Sequence, residues 1–319
     1  MIRIVQYNIL STDLATKFYF VNTDTKFLKP EFRWILLKEK LQEEIQNLSI
    51  FCLQEVCFYW MEKLIPFFQE VGYYCHYNNY GWKDTGHMGV FIAYPNKYKL
   101  EAIKIINIGD SIEDRTTIID SPIIKDDSLT IKEDVWTQAI RKKNTMLCLK
   151  LNYNNDIFCI GTYHMPCFGD SVKLLHIISC IQLLNKFSGN YKHILAGDFN
   201  IMPNSSLYKV ITESGKYNNI IEKSIYYDTK MFNLKVSTPL KSAYALFDTD
   251  PLFTNYAHTV NSDVFNGCLD YIFVSRGWKV NSIKKLPDML PNLTYPSNEE
   301  PSDHLMLAVE LELIKKVKL

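Results

Sequence analysis

The sequence predicts an α/β fold in which sheets pack on one another and helices lie outside. Short β-rich runs alternate with helix-period runs along the chain, and no internal repeat, low-complexity linker or clean boundary divides it. Polar residues capable of chemistry recur where apolar runs of strand length stop.

The first element is the strand-like run IRIVQY. A helical spacing follows through Phe32, Ile35, Leu41, Ile45 and Leu48, and SIFCLQ has strand length again. A second helical stretch carries Trp60, Leu64, Phe67, Phe68 and Val71, and Pro66 is expected to interrupt it because proline lacks the N–H that a helix interior needs. Next come Tyr73, Tyr74, Tyr77, Tyr80 and Trp82, running into the segment NNYGWKDTGHMG, which reads as a packed loop rather than a stacking platform. Further strands are expected at GVFIAY, MLCLKL, DIFCIGTY, KHILAG, CLDYIFVS and LMLAVELEL. A helix with Leu174, Ile177, Ile178, Ile181 and Leu184 on one face falls between two of them. The polar, acidic stretch from about Asp110 to Asp134 is expected to leave the core.

Composition narrows the function. Hydrophobic residues at 47%, with aromatics at 13%, suffice for a large core and exclude a disordered chain. The 35 basic and 35 acidic residues cancel, which excludes a global basic field for capturing nucleic acid. A polyanion must then be handled locally, as a bound divalent cation would do. The eight cysteines form no CxxC pair and read as buried thiols of a reducing compartment. With neither a signal-like opening nor an apolar run of membrane-spanning length, an intracellular, cytoplasmic protein without a membrane partner is expected.

Asn8 follows IRIVQY, Glu55 follows SIFCLQ, His164 ends IFCIGTYH, and Asp198 with Asn200 follow HILAG. Asp270 sits in CLDYIFVS, and Asp303 and His304 precede the last apolar run. Singly, each has a bland reading as a turn residue, a solvated strand end or a core histidine. Together, four carboxylates, two histidines and two amides suit a hard cation and a phosphate. A zinc site through His164, Cys167 and His176 is the weaker reading, since no fourth ligand is evident.

The segments QYNIL, CLQEV, GTYH, GDFNIMP, LDYIFVS and PSDHL resemble, in order and spacing, the successive signatures of the endonuclease/exonuclease/phosphatase superfamily. YNIL followed by the helix containing Arg33, and DPLFTNY through LDYIFVS to PSDHL, are similar to its nocturnin and carbon-catabolite-repressor deadenylase branch. That branch includes the angel proteins and the mitochondrial 2′-phosphodiesterase. The Trp-containing GDxN block and the C-D-R block of inositol 5-phosphatases are missing. The resemblance implies one catalytic domain over residues 1–319, a DNase-like four-layer sandwich of two mixed β-sheets flanked by helices.

Chemistry and resemblance together imply roles. Glu55 is expected as direct Mg²⁺ ligand, with Asn8 supporting the ion or its water and Asp303 joining if two ions bind; Mn²⁺ is expected to substitute. Asp198 would orient or deprotonate the attacking water, and Asn200 would donate to a phosphate oxygen. His304 and His164 would be phosphate donors, with Asp270 fixing the His304 ring. Phe265 matches by position an adenine-stacking aromatic of the deadenylases, and Asn255 is a further substrate contact. One departure concerns the fifth residue after His164, where those deadenylases have Pro and this chain has Gly169.

The expected activity is a Mg²⁺-dependent 3′-to-5′ exoribonuclease of deadenylase type, acting on RNA or a small nucleotide. Alternatives are a nucleotide 2′-phosphatase or 2′-5′ oligoadenylate phosphodiesterase, and a non-catalytic nucleic-acid-binding relative. No leucine-rich repeat precedes Asn8, so docking through such a module is not expected.

Overall fold

The structure is a computed structural model that describes residues 1–81, 88–112, 135–221 and 234–314. The amino-terminal part runs β1 (Ile2–Asn8), α1 (Thr25–Leu28), α2 (Pro30–Gln46), β2 (Ile50–Gln54), α3 (Phe58–Glu70), β3 (Tyr73–Tyr80), β4 (Met88–Pro95) and β5 (Lys99–Asn107). The middle adds α4 (Val135–Arg141), β6 (Thr145–Tyr153), β7 (Asp156–His164), α5 (Asp170–Ser188), β8 (Lys192–Asp198), α6 (Ser206–Thr212) and β9 (Gly215–Lys216). Then follow β10 (Lys235–Val236), β11 (Lys241–Ser242), α7 (Ala243–Phe247), β12 (Asn255–Ala257), β13 (Phe265–Gly267), β14 (Asp270–Val274), β15 (Trp278–Ile283) and β16 (Leu307–Leu313).

Two six-stranded mixed sheets result, ordered β15-β16-β1-β2-β4-β3 and β11-β14-β8-β7-β6-β5. Each has one parallel pair at its centre, β1 with β2 and β7 with β8, and antiparallel neighbours elsewhere. The sheets stack through Ile4, Ile50, Cys52 and Ile92 of the first and Leu149, Ile160, Ala196 and Ile272 of the second. Helices α2 and α3 cover the outer face of the first through Leu37, Leu41, Trp60, Leu64 and Phe68, and α5 covers the second through Leu174, Ile177, Ile178 and Leu184. The order helix, sheet, sheet, helix is the predicted four-layer arrangement.

Strand side chains alternate between faces, so the stacked interior is read at every second residue. Along β1 it runs Ile4, Gln6, Asn8; along β7, Ile160, Thr162, His164; along β8, Ile194, Ala196, Asp198. At one end of the sandwich the interior therefore turns from aliphatic to polar, and there the site assembles.

Three expectations need correction. Pro66 lies inside α3, which continues to Glu70. The carbonyl deprived of a donor four residues back belongs to Glu62, and both residues are exposed, on the side of the helix where a lost backbone bond costs least. In α2 the buried face is Arg33, Leu37, Leu41 and Glu44, while Ile35 is exposed, so the helix is rotated from the phase its aliphatic residues suggest. Tyr73 to Tyr80 form an edge strand and not a loop. Trp82, and residues 113–134 of the acidic stretch, lie outside the described residues. The cysteines are free thiols, of which Cys75 is half-buried, Cys167 exposed and the other six buried.

Candidate active site

Register builds the first row of the site. His164 of β7 pairs with Asp198 of β8, which pairs with Asp270 of β14, so three chemically capable side chains stand abreast on the inner face of the second sheet. Gly197 permits this packing, because a Cβ there would stand 1.9 Å from the carbonyl oxygen of Tyr163. From the first sheet, Asn8 ends β1 beside Gln54 of β2. Glu55 follows immediately with φ of +56°, a left-handed backbone that costs a non-glycine residue about 1 kcal/mol or more. The strand ends there, and the turn aims the carboxylate back toward Asn8.

Asn8 joins the two sheets. Its Nδ2 donates to Glu55 Oε1 and Asp198 Oδ2, both at 3.0 Å, while its Oδ1 accepts from the Leu10 N–H at 3.0 Å. Both amide hydrogens thus fix the spacing of two carboxylates. Glu55 Oε2 accepts from the Ser11 N–H at 2.9 Å. Asp198 Oδ2 lies 3.5 Å from His164 Nε2 and 3.6 Å from His304 Nε2, and its Oδ1 accepts from the Asn200 N–H at 3.0 Å. Asn200, with φ of +51°, spends one Nδ2 hydrogen on Met165 O at 2.9 Å and keeps the other.

Beneath lies a buried polar floor. Gln6 Nε2 donates to Gln54 Oε1 at 2.7 Å and Asp270 Oδ1 at 2.8 Å, and Gln54 Nε2 donates to Thr162 Oγ1 at 2.9 Å. Asp270 Oδ2 accepts from Thr254 Oγ1 at 2.6 Å and from His304 Nδ1 at 2.7 Å. Asp270 is thus engaged through both oxygens and fully buried, and it fixes the His304 ring with Nε2 facing Asp198. On the other side the Tyr80 hydroxyl bonds His164 Nδ1. Burial holds that phenol far above its ordinary pKa, so it stays protonated and donates, leaving His164 Nε2 as the N–H.

The charges are unbalanced. Burial alone would push His304 down, but Asp270, Asp303 and Asp198 hold it well above its ordinary value, so it is a cation at neutral pH. Burial raises Asp198 and Asp303 above the usual carboxylate range against the opposing pull of His304. Asp198, Asp270 and Asp303 surround the His304 imidazolium, Glu55 stands across Asn8, and the buried Arg33 guanidinium acts on Asp303 and Glu55, so four buried carboxylates face two protein cations and the surplus suits a further cation. The donors fit a hard ion, since Glu55 Oε1 and Asp198 Oδ2 face one space across Asn8. Among the described residues, Asp198, Asp270 and His304 form the cluster whose ligand atoms lie within 4.8 Å of one another. Asp270 and His304 are hydrogen-bonded to each other, which leaves Glu55 and Asp198 better disposed toward an ion.

The remaining expected residues lie close by. Asp303 Oδ2 accepts from Asn255 Nδ2 at 3.2 Å, and Asn255 bridges His304 through the backbone, so Asn255 holds the loop bearing Asp303 and His304. Phe265 on β13 is 41% exposed. It lies with Met202 over the bare Cα of Gly267, where a Cβ would be 2.8 Å from Phe265 Cζ and 2.6 Å from Met202 Sδ. That apolar lip is two residues beyond Asn200. The zinc trio does not form: His176 Nε2 donates to Ala139 O at 2.9 Å and its Nδ1 accepts from the Tyr163 hydroxyl at 2.6 Å.

Sequence reasoning missed Gln6, Gln54, Thr162, Thr254 and Tyr80. A signal existed for the first three, which occupy inward positions of otherwise aliphatic strands. None existed for Tyr80, whose partner is 84 residues away.

Known proteins are similar to this chain in sequence or in fold. The probable CCR4-Not complex 3′-5′-exoribonuclease subunit Ccr4 of Enterocytozoon bieneusi (strain H348) is 27% identical over 201 residues, covering 60% of this chain and 40% of that protein. Human 2′,5′-phosphodiesterase 12 is 22% identical over 336 residues, covering 98% of this chain and 52% of that protein. The chain thus spans about half, or less, of the length of these curated relatives. Among solved structures, ANGEL2, a 2′,3′-cyclic phosphatase in complex with adenosine-2′,3′-vanadate, has the same fold with a TM-score of 0.72 at 19% identity, covering 98% of this chain and 96% of that one. No helix among the described residues is long and apolar enough to cross a membrane. The signature of the Endonuclease/Exonuclease/phosphatase family matches residues 5–304, a span that takes in every strand end from Asn8 to His304, and the chain belongs to that family.

Proposed function

We propose that the chain is a Mg²⁺-dependent phosphodiesterase that removes nucleotides from RNA in the 3′-to-5′ direction, with adenylate tails as leading substrate. The observation that carries the reading is the pairing of a histidine held cationic, His304, with a carboxylate held basic, Asp198, 3.6 Å apart in a buried acidic pocket. Phosphodiester hydrolysis needs a base for water and a donor for accumulating negative charge, and these two groups supply both. When bound, the ion would neutralise charge on the phosphate and polarise the attacking water.

Glu55 would hold the ion, with Asp303 available to a second, and Asn8 keeps Glu55 and Asp198 at a fixed spacing. Asp198 takes the proton of the water. His304 Nε2 and His164 Nε2 donate to the two non-bridging phosphate oxygens, and the remaining Nδ2 hydrogen of Asn200 donates to the ester oxygen whose bond to phosphorus breaks, which departs as a hydroxyl after taking a proton from water. Asp270 keeps the His304 ring oriented and charged. Phe265 and Met202 pack together over Gly267 and would offer a base an apolar surface, worth about 1–3 kcal/mol if it stacks. The names of the Ccr4 relatives support RNA as substrate.

A second reading, cleavage of 2′-5′ linkages, is favoured by the match of 98% of the chain to human 2′,5′-phosphodiesterase 12. Incubating the purified protein with poly(A), mixed RNA, 2′-5′ oligoadenylate and a 2′-phosphorylated dinucleotide, each with Mg²⁺ and with chelator, separates the two. Mononucleotides shed from poly(A) only with Mg²⁺ are expected. Turnover restricted to the 2′-5′ substrate supports the second reading, phosphate release marks a phosphatase, and intact substrates throughout defeat both.

A further inference from the structure

Arg33 of α2 is fully buried, yet it contacts no carboxylate oxygen among the described ion pairs. It grips three backbone carbonyls instead. Its Nε donates to Pro301 O at 2.6 Å, and its Nη2 donates to Ile9 O at 2.6 Å and Leu10 O at 2.5 Å. Trp60 Nε1 adds a bond to Leu10 O at 2.9 Å, and the Arg33 guanidinium lies 5.1 Å over the Trp60 ring.

What these bonds fix is the direction of two peptide planes. Leu10 has φ of +54°, a left-handed conformation that a leucine adopts only when its surroundings impose it. With the carbonyls of Ile9 and Leu10 held toward Arg33, the next two N–H groups point the opposite way. Those are the donors of the site: Leu10 N–H to Asn8 Oδ1 and Ser11 N–H to Glu55 Oε2. The third carbonyl belongs to Pro301, two residues before Asp303 and three before His304. About two turns further along the same face of α2, Lys40 pairs with buried Glu300 at 2.9 Å, which also accepts from the Tyr7 hydroxyl. Helix α2 thus grips both chain segments that carry the ion-facing and histidine-bearing groups.

We infer that Arg33 is a positioning residue, whose guanidinium sets the Ile9–Ser11 turn so that two backbone N–H groups aim the Asn8 and Glu55 side chains for a divalent ion. This rests on Glu55 holding that ion, the reading given above. Burial brings the guanidinium down to about 10 and Asp303 pulls it back up, so it is charged at neutral pH. Charge and geometry therefore have to be separated in the test. Lysine keeps the charge but has no planar fork to reach three carbonyls.

The experiment measures Mn²⁺ affinity by electron paramagnetic resonance for the wild type, Arg33→Lys, Glu55→Gln and Arg3→Met. Backbone amide hydrogen exchange is followed in the same proteins. Arg3 pairs with Glu44 away from the site and serves as the control for loss of a part-buried ion pair between β1 and α2. For Arg33→Lys, an affinity about 10- to 100-fold weaker is expected, with faster exchange at Leu10 and Ser11 while Val5 and Tyr7 stay protected. Arg3→Met should bind like the wild type. Wild-type affinity and unchanged Leu10 and Ser11 exchange in Arg33→Lys would overturn the inference, as would a loss equalled by Arg3→Met. If Arg33→Lys does not fold, Trp60→Phe removes a single bond to Leu10 O and must shift both measurements in the same direction. Should the wild type bind no Mn²⁺, or Glu55→Gln bind as well as the wild type, the ion reading itself fails and the inference with it.

Discussion

His304 and His176 are both buried, and each ring is hydrogen-bonded within the protein, yet they are driven in opposite directions. His176, between β7 and α4, bonds a phenol and a peptide carbonyl among the described residues, and burial takes it down to about 4. His304 meets Asp270, Asp303 and Asp198 and rises well above its ordinary value. Low exposure therefore does not make a histidine a reagent. The carboxylates brought to it by neighbouring strands do, and the two rings serve as each other's control.

The largest expected effect comes from His304→Ala, which should lower metal-dependent kcat by about 10²–10³-fold with an unchanged circular dichroism spectrum. His176→Gln should leave kcat near the wild-type value, and equal losses in the two would collapse the comparison. The next effect is on stability. A histidine with its folded pKa lowered from 6.5 to about 4 binds its proton more readily in the unfolded chain. Its stabilisation is present above pH 6.5 and is lost as pH falls toward 4, by about 3 kcal/mol in all. Urea unfolding of wild type and His176→Gln across that range should show the steeper decline in the wild type.

Asp270→Asn keeps the shape of the site and removes one charge. Through nitrogen-resolved NMR titration, His304 should be seen to titrate closer to its ordinary value, with kcat lowered about 10- to 100-fold. A titration unmoved by the substitution would mean that Asp270 does not hold the proton on His304. Tyr80→Phe should have the smallest effect, about 2- to 10-fold in kcat, because one hydrogen bond orienting His164 is lost. A loss as large as that of His304→Ala would instead make Tyr80 a direct participant.

The strands that end at Asn8, Glu55, His164 and Asp198 were legible because aliphatic runs of strand length stop where chemically capable residues begin. Their convergence was not, since periodicity says where a side chain points within a sheet and nothing of which strands adjoin. The resemblance supplied that neighbourhood. Edge strand β3 was hidden by its polar and tyrosine-rich composition, half-solvated as it is, and Ile35 misled the phase of α2 because an aliphatic residue faces solvent there while Arg33 faces inward. Arg33 was visible as a motif residue, but its grip on Pro301 O joins segments 268 positions apart, which no local pattern encodes.

The pairing of β1 with β16 has a consequence for how activity arises during folding. The strand that presents Asn8 closes its free edge only against residues Leu307–Leu311, at the far end of the described chain. Contacts of such sequence separation carry the entropic cost of closing a long loop. The loop bearing Asp303 and His304 leads directly into β16, so the pairing that closes the first sheet also brings His304 to within 3.5 Å of Asn8, and the two halves of the site stand or fall with that one strand.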